Sequence, residues 1–148
     1  MKKNIIYFLI IFSVFSCKKD RLKGDKEILE GKWRWVKTEV TGTACNPPEL
    51  PGLITPASKG REEFVEFIKK GYFKTFINGT EQQKLKMKFE HFEGDDNSCS
   101  FSIKLDDFDG KLTGQIGNDT LKLTTFFIPF NGADDGTCNS YFSYFVRE

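Results

Sequence analysis

The clearest pattern along the chain is an alternation of apolar and polar side chains from Glu81 to Phe92, where Leu85, Met87 and Phe89 alternate with charged residues. A period of two predicts a β-strand with one buried face. Segments with similar alternation, or rich in Trp, Val, Thr and aromatic residues, predict further strands. The predicted strands are Lys32–Val40, Glu63–Lys69, Tyr72–Ile77, Glu81–Phe92, Phe101–Leu105, Lys111–Ile116, Leu121–Thr125 and Tyr141–Arg147.

Short connections join most of these eight strands. Asn78-Gly79 is typical of a two-residue hairpin turn, and Gly117-Asn118-Asp119 predicts another turn. Neighbouring strands joined this way run antiparallel, because parallel strands need long crossovers. The pattern therefore predicts an all-β fold, an eight-stranded antiparallel up-and-down barrel. A two-sheet β-sandwich is the alternative that the same pattern allows.

The remaining segments are predicted to be helix or loop. Residues Leu22–Glu30 predict one short N-terminal helix, which Gly31 ends. Thr41–Gly60, which is rich in proline and glycine, predicts a long irregular loop, and Phe130–Asn139 predicts a second. We find no internal repeat and no low-complexity segment.

The first seventeen residues predict export. Two lysines precede an apolar run from Ile5 to Phe15, which suits the core of a signal peptide and is too short for a transmembrane helix of about 20 residues. Val14-Phe15-Ser16-Cys17 resembles the lipobox of bacterial lipoproteins, although Phe15 departs from that pattern. The resemblance implies cleavage before Cys17, lipidation of its sulfur, and anchoring in the bacterial cell envelope, where we expect the outer membrane and leave its periplasmic or surface face open. The alternative is an ordinary secretory signal followed by an incidental cysteine.

Three parts of the chain follow from this interpretation. Residues 1–16 would be the signal peptide, residues 17–28 a lipidated tether, and residues 29–148 the barrel domain. A tether of about ten residues at about 3.3 Å each reaches no more than ~35 Å from the membrane. Without Lys2 and Lys3, 20 of the 22 basic residues remain against 21 acidic ones, so the net charge predicts no nucleic-acid partner.

Export also implies a compartment in which disulfides persist. Apart from Cys17 the chain has three cysteines, so one thiol is left over from any internal pair. Cys45 and Cys138 lie in turn-like segments, and we expect them to form the disulfide. Cys99 starts a strand on its apolar side and is expected to be a buried, free thiol.

A family resemblance rests on two short motifs. The run Leu29-Glu30-Gly31-Lys32-Trp33-Arg34-Trp35 and the ending Tyr144-Phe145-Val146-Arg147 resemble the lipocalin-like lipoproteins of Bacteroidetes-type bacteria. The resemblance implies that Gly31, Trp33 and Arg147 are structural residues of the closed barrel end, with the guanidinium of Arg147 stacked on Trp33. It also implies a barrel that holds a small ligand. The long loop Thr41–Gly60 departs from the family pattern and could fill the barrel mouth.

Aromatic residues are abundant, with 16 Phe, 4 Tyr and 2 Trp. They predict either a packed aromatic core or the lining of a pocket for an apolar ligand. The residues expected to line such a pocket are Trp35, Phe64, Tyr72, Phe76, Met87, Phe89, His91 and Phe101. His91 is included because it shares the parity of Leu85, Met87 and Phe89.

The sequence favours no catalytic or metal chemistry. His91 is the only histidine, and no nucleophile motif accompanies it, so we expect a non-enzyme without catalytic residues. Three acidic clusters, at Asp95–Asn97, Asp106–Gly110 and Asp134–Gly136, lack the spacing of a calcium loop and predict turns. We therefore expect no metal and no cofactor.

Two functions remain open from the sequence. The first is a membrane-anchored module that binds a small hydrophobic ligand inside the barrel. The second is a non-catalytic interaction or structural lipoprotein that contacts another envelope protein through its loops.

Overall fold

The computed structural model describes residues 21–42, 52–106, 111–124 and 139–148. A 3-10 helix and one short α-helix accompany nine strands in this part of the chain. The helices are the 3-10 helix Gly24–Leu29 and α1 Pro56–Lys59. The strands are β1 Gly31–Gly42, β2 Leu53–Ile54, β3 Glu63–Ile68, β4 Tyr72–Ile77, β5 Thr80–Gly94, β6 Ser98–Leu105, β7 Lys111–Gly117, β8 Thr120–Thr124 and β9 Asn139–Arg147.

Eight of the strands form a closed antiparallel barrel. From β3 to β9 each strand pairs with its neighbour in sequence, and β1 pairs with β3 on one side and with β9 on the other. The β1–β9 ladder, with Trp35 opposite Phe145, closes the ring. The predicted eight-stranded up-and-down barrel is confirmed, and a sandwich of two separate sheets does not fit this ring. Closure leaves none of these eight strands as a free sheet edge.

The predicted loop Thr41–Gly60 contains more structure than expected. Strand β1 continues to Gly42, and β2 adds a short ladder to it through Thr38 and Glu39. Helix α1 begins with a capping box, in which the side chains of Thr55 and Ser58 each accept the other's backbone N–H. Residues 43–51 of this loop lie outside the described residues.

The two ends of the barrel differ. We call the base the end where the 3-10 helix and the β3–β4 and β7–β8 turns lie. The mouth is the opposite end, where β1 ends at Gly42, β3 begins at Glu63 and β9 begins at Asn139. The strands flanking residues 43–51, 107–110 and 125–138 also end at the mouth.

The turns follow the predicted chemistry. Asn78 and Gly79 both have positive φ, 47° and 78°, which is the geometry of a two-residue hairpin matched to strand twist. Asn118 and Asp119 repeat it at φ 50° and 55°. Both hairpins therefore fix the strand register where the sequence predicts a turn.

Three β-bulges interrupt the regular alternation. They lie between Trp35 and Lys37 in β1, opposite Thr75–Phe76 in β5, and between Phe89 and His91 in β5. Each bulge inserts one residue and so reverses which side chains face inward beyond it. The first brings Thr38 and Val40 to the inner side, where both are buried.

Candidate ligand site inside the barrel

The base is sealed around Trp33. The indole N–H of Trp33 donates to the carbonyl of Leu29, 3.0 Å away. The guanidinium carbon of Arg147 lies 4.2 Å from the centre of the Trp33 ring, the contact that the family resemblance implies. Two nitrogens of Arg147 donate to the carbonyls of Glu30 and Ile28 at 2.6 and 2.5 Å. Arg147 therefore ties the last strand to the end of the 3-10 helix.

Gly31 is part of this seal. Its φ of 121° lies in the region that glycine adopts most readily, and a Cβ there would lie 3.3 Å from Nη1 of Arg147. Leu22 and Leu29 are fully buried on the same end of the core. The base is thus closed by apolar packing and by the fork of one arginine.

The base side of the barrel interior is filled by aromatic side chains. Phe67 makes edge-to-face contacts with Phe73 and Phe101, with ring centres 5.1 and 6.0 Å apart. The Phe101 ring also fills the space beside Gly114, because a Cβ on Gly114 would lie 2.5 Å from Cζ of Phe101. A ligand within the barrel must therefore lie on the mouth side of these rings.

Four polar residues are buried among the residues that the structure describes: Thr38, Glu63, Thr75 and Ser143. The indole N–H of Trp35 donates to Oγ1 of Thr38 at 2.9 Å, and that hydroxyl lies 2.8 Å from Oγ of Ser143. The three side chains of Trp35, Thr38 and Ser143 link the inner faces of β1 and β9, and these hydrogen bonds join the three side chains to one another.

The side chains of Glu63 and Thr75 leave more of their hydrogen-bonding atoms unpaired than those of Thr38 and Ser143 do. Both side chains are completely buried. Oε1 of Glu63 accepts from Nε of Arg61 at 2.6 Å, but Oε2 of Glu63 and Oγ1 of Thr75 find no hydrogen-bond partner among the described residues. Leaving such a group unpaired costs about 1–3 kcal/mol. One carboxylate oxygen and one hydroxyl group therefore remain available for hydrogen bonding inside the barrel.

The strand register brings these two side chains together. Val65 lies opposite Thr75 and Glu63 lies opposite Ile77, so Glu63 and Thr75 are diagonal neighbours on one face. That face is the inner one, because Val65 and Phe73 on it belong to the core. Glu63 begins β3 and Thr75 is two residues from the end of β4, which places both toward the mouth.

The electrostatics of Glu63 reflect its burial. Loss of solvent raises the pKa of its carboxyl above the ordinary value of 4.5, and the hydrogen bond and charge of Arg61 oppose that rise. The arginine therefore offsets only part of the cost of burying the carboxylate. A ligand group that donates a hydrogen bond to Oε2 would offset more of it.

Three of the residues expected to line the pocket lie on the outer face instead. Phe64, Tyr72 and Phe76 alternate with the core residues of β3 and β4 and so point away from the interior. The ammonium of Lys32 lies 4.0 Å from the Phe64 ring centre, and that of Lys84 lies 4.9 Å from the Tyr72 ring centre. Lysine stems cover these rings, which explains how apolar residues are accommodated outside the barrel.

His91 also lies outside, and the expectation that it faces inward is wrong. The bulge after Phe89 shifts the register, so that His91 pairs with Ser102 and Phe92 takes the position opposite Phe101. The His91 side chain is 60% exposed, with Nε2 3.7 Å from a carboxylate oxygen of Glu93. Phe92 packs against the core in its place.

The other four expected residues lie in the core. Trp35, Met87 and Phe101 are almost completely buried. Phe89 is half-buried near the base, where the ammonium of Lys26 lies 4.5 Å from its ring centre. Of these four, Trp35 alone belongs to the buried polar group, through its bond to Thr38.

Glu63 and Thr75 are not among the site residues that the sequence predicts. In the segment Glu63–Ile68 both alternating sets of positions carry apolar residues, so the pattern does not show which set is buried. The available signal was the parity of Glu63 with Val65 and Phe67, but Phe64 and Ile68 offered an equally apolar alternative. The lysines that cover the outer set are distant in sequence.

The carboxylate of Asp95 stabilises the turn between β5 and β6. This carboxylate accepts the backbone N–H groups of Asn97 and Ser98 at 2.8 and 2.9 Å, and these bonds hold the pKa of Asp95 below its ordinary value. Within the described ranges, no group of three or more His, Cys, Asp or Glu residues is arranged to hold a metal. The cluster Asp106–Gly110 lies outside those ranges except for Asp106, and the cluster Asp134–Gly136 lies outside them completely.

Of the four cysteines, the structure describes Cys99. Cys99 is buried in the core as a free thiol, and burial raises its pKa. Cys17 and the expected Cys45–Cys138 disulfide lie outside the described residues.

Comparison with known proteins gives no relative. No family model matches the chain, and neither a curated protein nor a solved structure matches it. Among the described helices, none is long and apolar enough to span a membrane.

Proposed function

We propose that the chain is a lipid-anchored, lipocalin-like lipoprotein of the bacterial envelope, and that its barrel binds a small, mostly apolar molecule bearing one polar group. The closed eight-stranded barrel supports this proposal, as does the contact of Arg147 with Trp33 at a base that is sealed. The lipobox-like segment ending in Cys17 supports the anchor.

The observation that carries the proposal is the pair of buried polar groups without a hydrogen-bond partner, a carboxylate oxygen that accepts and a hydroxyl that can donate. Oε2 of Glu63 and Oγ1 of Thr75 are buried on neighbouring inner positions toward the mouth. A hydroxyl group can donate to the carboxylate and accept from the threonine at once. A ligand carboxylate would instead be repelled by Glu63. The site therefore favours a neutral, hydroxyl-bearing amphiphile over a fatty acid.

Displacement of a fluorescent apolar probe tests this function. The full chain with Cys17→Ala is titrated with N-phenyl-naphthylamine, and the bound probe is displaced with dodecanol, dodecanoate or dodecane. We expect dodecanol to displace the probe best. Glu63→Gln and Thr75→Val should each lower the affinity for dodecanol by about tenfold, which is the scale of one lost hydrogen bond.

Glu66→Gln is the matched control, because Glu66 lies on the outer face of the same strand. It should leave displacement unchanged. If wild-type protein does not bind the probe or any of the three competitors, the binding function is wrong. If Glu63→Gln and Glu66→Gln change dodecanol displacement equally, the inner carboxylate of Glu63 does not bind the ligand.

The anchor is tested separately by fractionation. In a bacterial host that processes lipoproteins, the wild-type chain should be recovered with membranes and label with radioactive palmitate. Cys17→Ala should abolish the label. Persistence of the label in Cys17→Ala would rule out this cysteine as the attachment site.

The packed aromatic side chains inside the barrel favour a second candidate function. The packed rings of Phe67, Phe73 and Phe101 suit a rigid scaffold that presents its mouth-side surface to another envelope protein. Cross-linking in cells through a photoreactive side chain at Leu53, an exposed apolar residue of β2, tests it. Recovery of a defined partner in wild type, together with failure of every apolar competitor to bind, would favour the scaffold over the ligand carrier.

A further inference from the structure

A row of lysines crosses the outer wall of the barrel. Lys88 in β5 lies directly opposite Lys104 in β6, and Lys104 lies directly opposite Lys111 in β7. Lys84 and Lys86 share the outer face of β5 with Lys88, because Leu85 and Met87 between them pack on the core. We call these five residues the lysine face.

This arrangement is unfavourable for the fold by itself. Like charges directly opposite each other across antiparallel strands are destabilising. Two strand spacings span roughly 10 Å, about the Debye length at 0.1 M salt, so the three charges of the row act on one another. The charges of the row therefore do not stabilise the sheet.

Nearby acids neutralise only part of the lysine face. Glu90 forms an ion pair with Lys111 at 2.7 Å, and the three row lysines hold the pKa of Glu90 below its ordinary value. The carboxylate of Asp106 accepts the backbone N–H of Lys86. Lys86, Lys88 and Lys104 have no ion pair within the part of the chain that the structure describes. Among the described residues, an excess of positive charge therefore remains at the centre of the face.

Protection of a sheet edge does not account for the row. Lysines on edge strands prevent pairing with other sheets, but Lys104, at the centre of the row, has a strand partner on both sides, Lys88 in β5 and Lys111 in β7. With 22 basic and 21 acidic residues in the whole chain, the excess is local rather than a property of the protein. A local positive surface attracts a negatively charged partner.

We propose that the lysine face docks the barrel side-on against an anionic lipid surface. The charge of the face complements acidic head groups, each nearby lysine contributing attraction. The short tether expected after Cys17 would keep the barrel within ~35 Å of the membrane. A soluble polyanion is the competing partner, and the experiment separates the two.

Vesicle co-sedimentation tests the proposal with the full chain carrying Cys17→Ala, so that lipidation plays no part. Vesicles of phosphatidylcholine alone are compared with vesicles that also contain phosphatidylglycerol, at low and high salt. We expect the protein to bind the vesicles that contain phosphatidylglycerol more strongly than vesicles of phosphatidylcholine alone. This difference should be lost at high salt. Lys104→Glu should weaken this salt-sensitive binding about 10- to 30-fold.

Arg34→Glu is the matched control. Arg34 is exposed on β1, on the opposite wall of the barrel, and the substitution changes the net charge by the same amount. Binding should be nearly unchanged. Because a carboxylate at position 104 can pair with Lys88 and Lys111, Lys104→Glu should also raise the melting temperature slightly, which excludes misfolding as the cause of lost binding.

Two results would overturn the proposal. Equal weakening by Lys104→Glu and Arg34→Glu would show that net charge, not this face, determines binding. Salt-sensitive binding to heparin that Lys104→Glu abolishes, without binding to the phosphatidylglycerol vesicles, would assign the face to a soluble polyanion.

Discussion

At the scale of single residues, Gly31 combines two demands. Its φ of 121° is strained for residues with a Cβ, and a Cβ would approach Nη1 of Arg147 to 3.3 Å. Arg147 has little freedom to retreat, because it also donates to two carbonyls and stacks on Trp33. The geometry of the base seal therefore explains why glycine occupies position 31.

Gly31→Ala should destabilise the protein by about 1–3 kcal/mol, the usual cost of a non-glycine residue in a disfavoured backbone conformation. Urea unfolding followed by circular dichroism measures the change. Gly117→Ala is the control, since no atom lies within 4 Å of a Cβ at that position. A loss in Gly31→Ala no larger than that in Gly117→Ala would contradict the explanation.

Glu63 makes the stability depend on pH in a predictable direction. Burial raises the pKa of Glu63 in the folded state above 4.5, so the folded chain holds this proton more tightly than the unfolded chain does. Its favourable contribution is complete below the unfolded pKa and is lost as pH rises through the folded pKa. The free energy of unfolding should therefore fall with pH, relative to Glu63→Gln, from about pH 4.5.

Urea unfolding of wild type and Glu63→Gln at a series of pH values measures that difference, and the other carboxylates cancel in the comparison. Glu66→Gln controls for removing a carboxylate from the same strand. A wild-type stability that rises with pH relative to Glu63→Gln would mean that Arg61 outweighs the burial of the carboxylate.

At the scale of elements, the sequence predicts the strands and turns better than their faces. The alternation in β5 and the Asn78-Gly79 turn depend on local chemistry, and both occur as predicted. The side of His91 depends instead on the bulge after Phe89, which no local signal marks. Extrapolating the parity of Leu85 and Met87 across that bulge therefore placed His91 inside.

Strand β3 shows a second limit of the sequence pattern. Both of its faces carry aromatic residues, and the outer set is covered by side chains such as Lys32, which lies over Phe64. Only the assembled barrel shows that Glu63 is inside and Phe64 outside. The candidate site was missed for this reason, since a glutamate at a strand end ordinarily indicates solvent.

Gly114 in β7 fits the aromatic packing of the neighbouring strands. A Cβ at this position would lie 2.5 Å from Cζ of Phe101 in β6 and 2.8 Å from Cδ2 of Leu123 in β8. Gly114→Ala should therefore destabilise the barrel by about 1–3 kcal/mol through overpacking.

The same glycine allows a test of coupling. Phe101→Leu removes the atoms nearest to the added methyl group, so the loss caused by Gly114→Ala should be smaller in the Phe101→Leu background. Chemical unfolding of the two single variants and the double variant measures the interaction. Additive losses would show that the ring does not limit the space at Gly114.

At the scale of the whole molecule, closure of the barrel predicts cooperative opening. Each of the eight ring strands is hydrogen-bonded on both sides, and the inner faces share one apolar core. Removing one strand would break two ladders and expose that core to water. Partial opening should therefore cost nearly as much as complete unfolding.

Cys99 reports on this opening, because it lies in β6 between two paired strands and its thiol is buried and free. In a Cys17→Ala, Cys45→Ala, Cys138→Ala variant, its alkylation by iodoacetamide should be slow in the native state. The protection free energy obtained from the rate should equal the free energy of unfolding by urea. A protection free energy several kcal/mol lower would show that β5, β6 or β7 opens alone, and the closed ring would then not be the unit of stability.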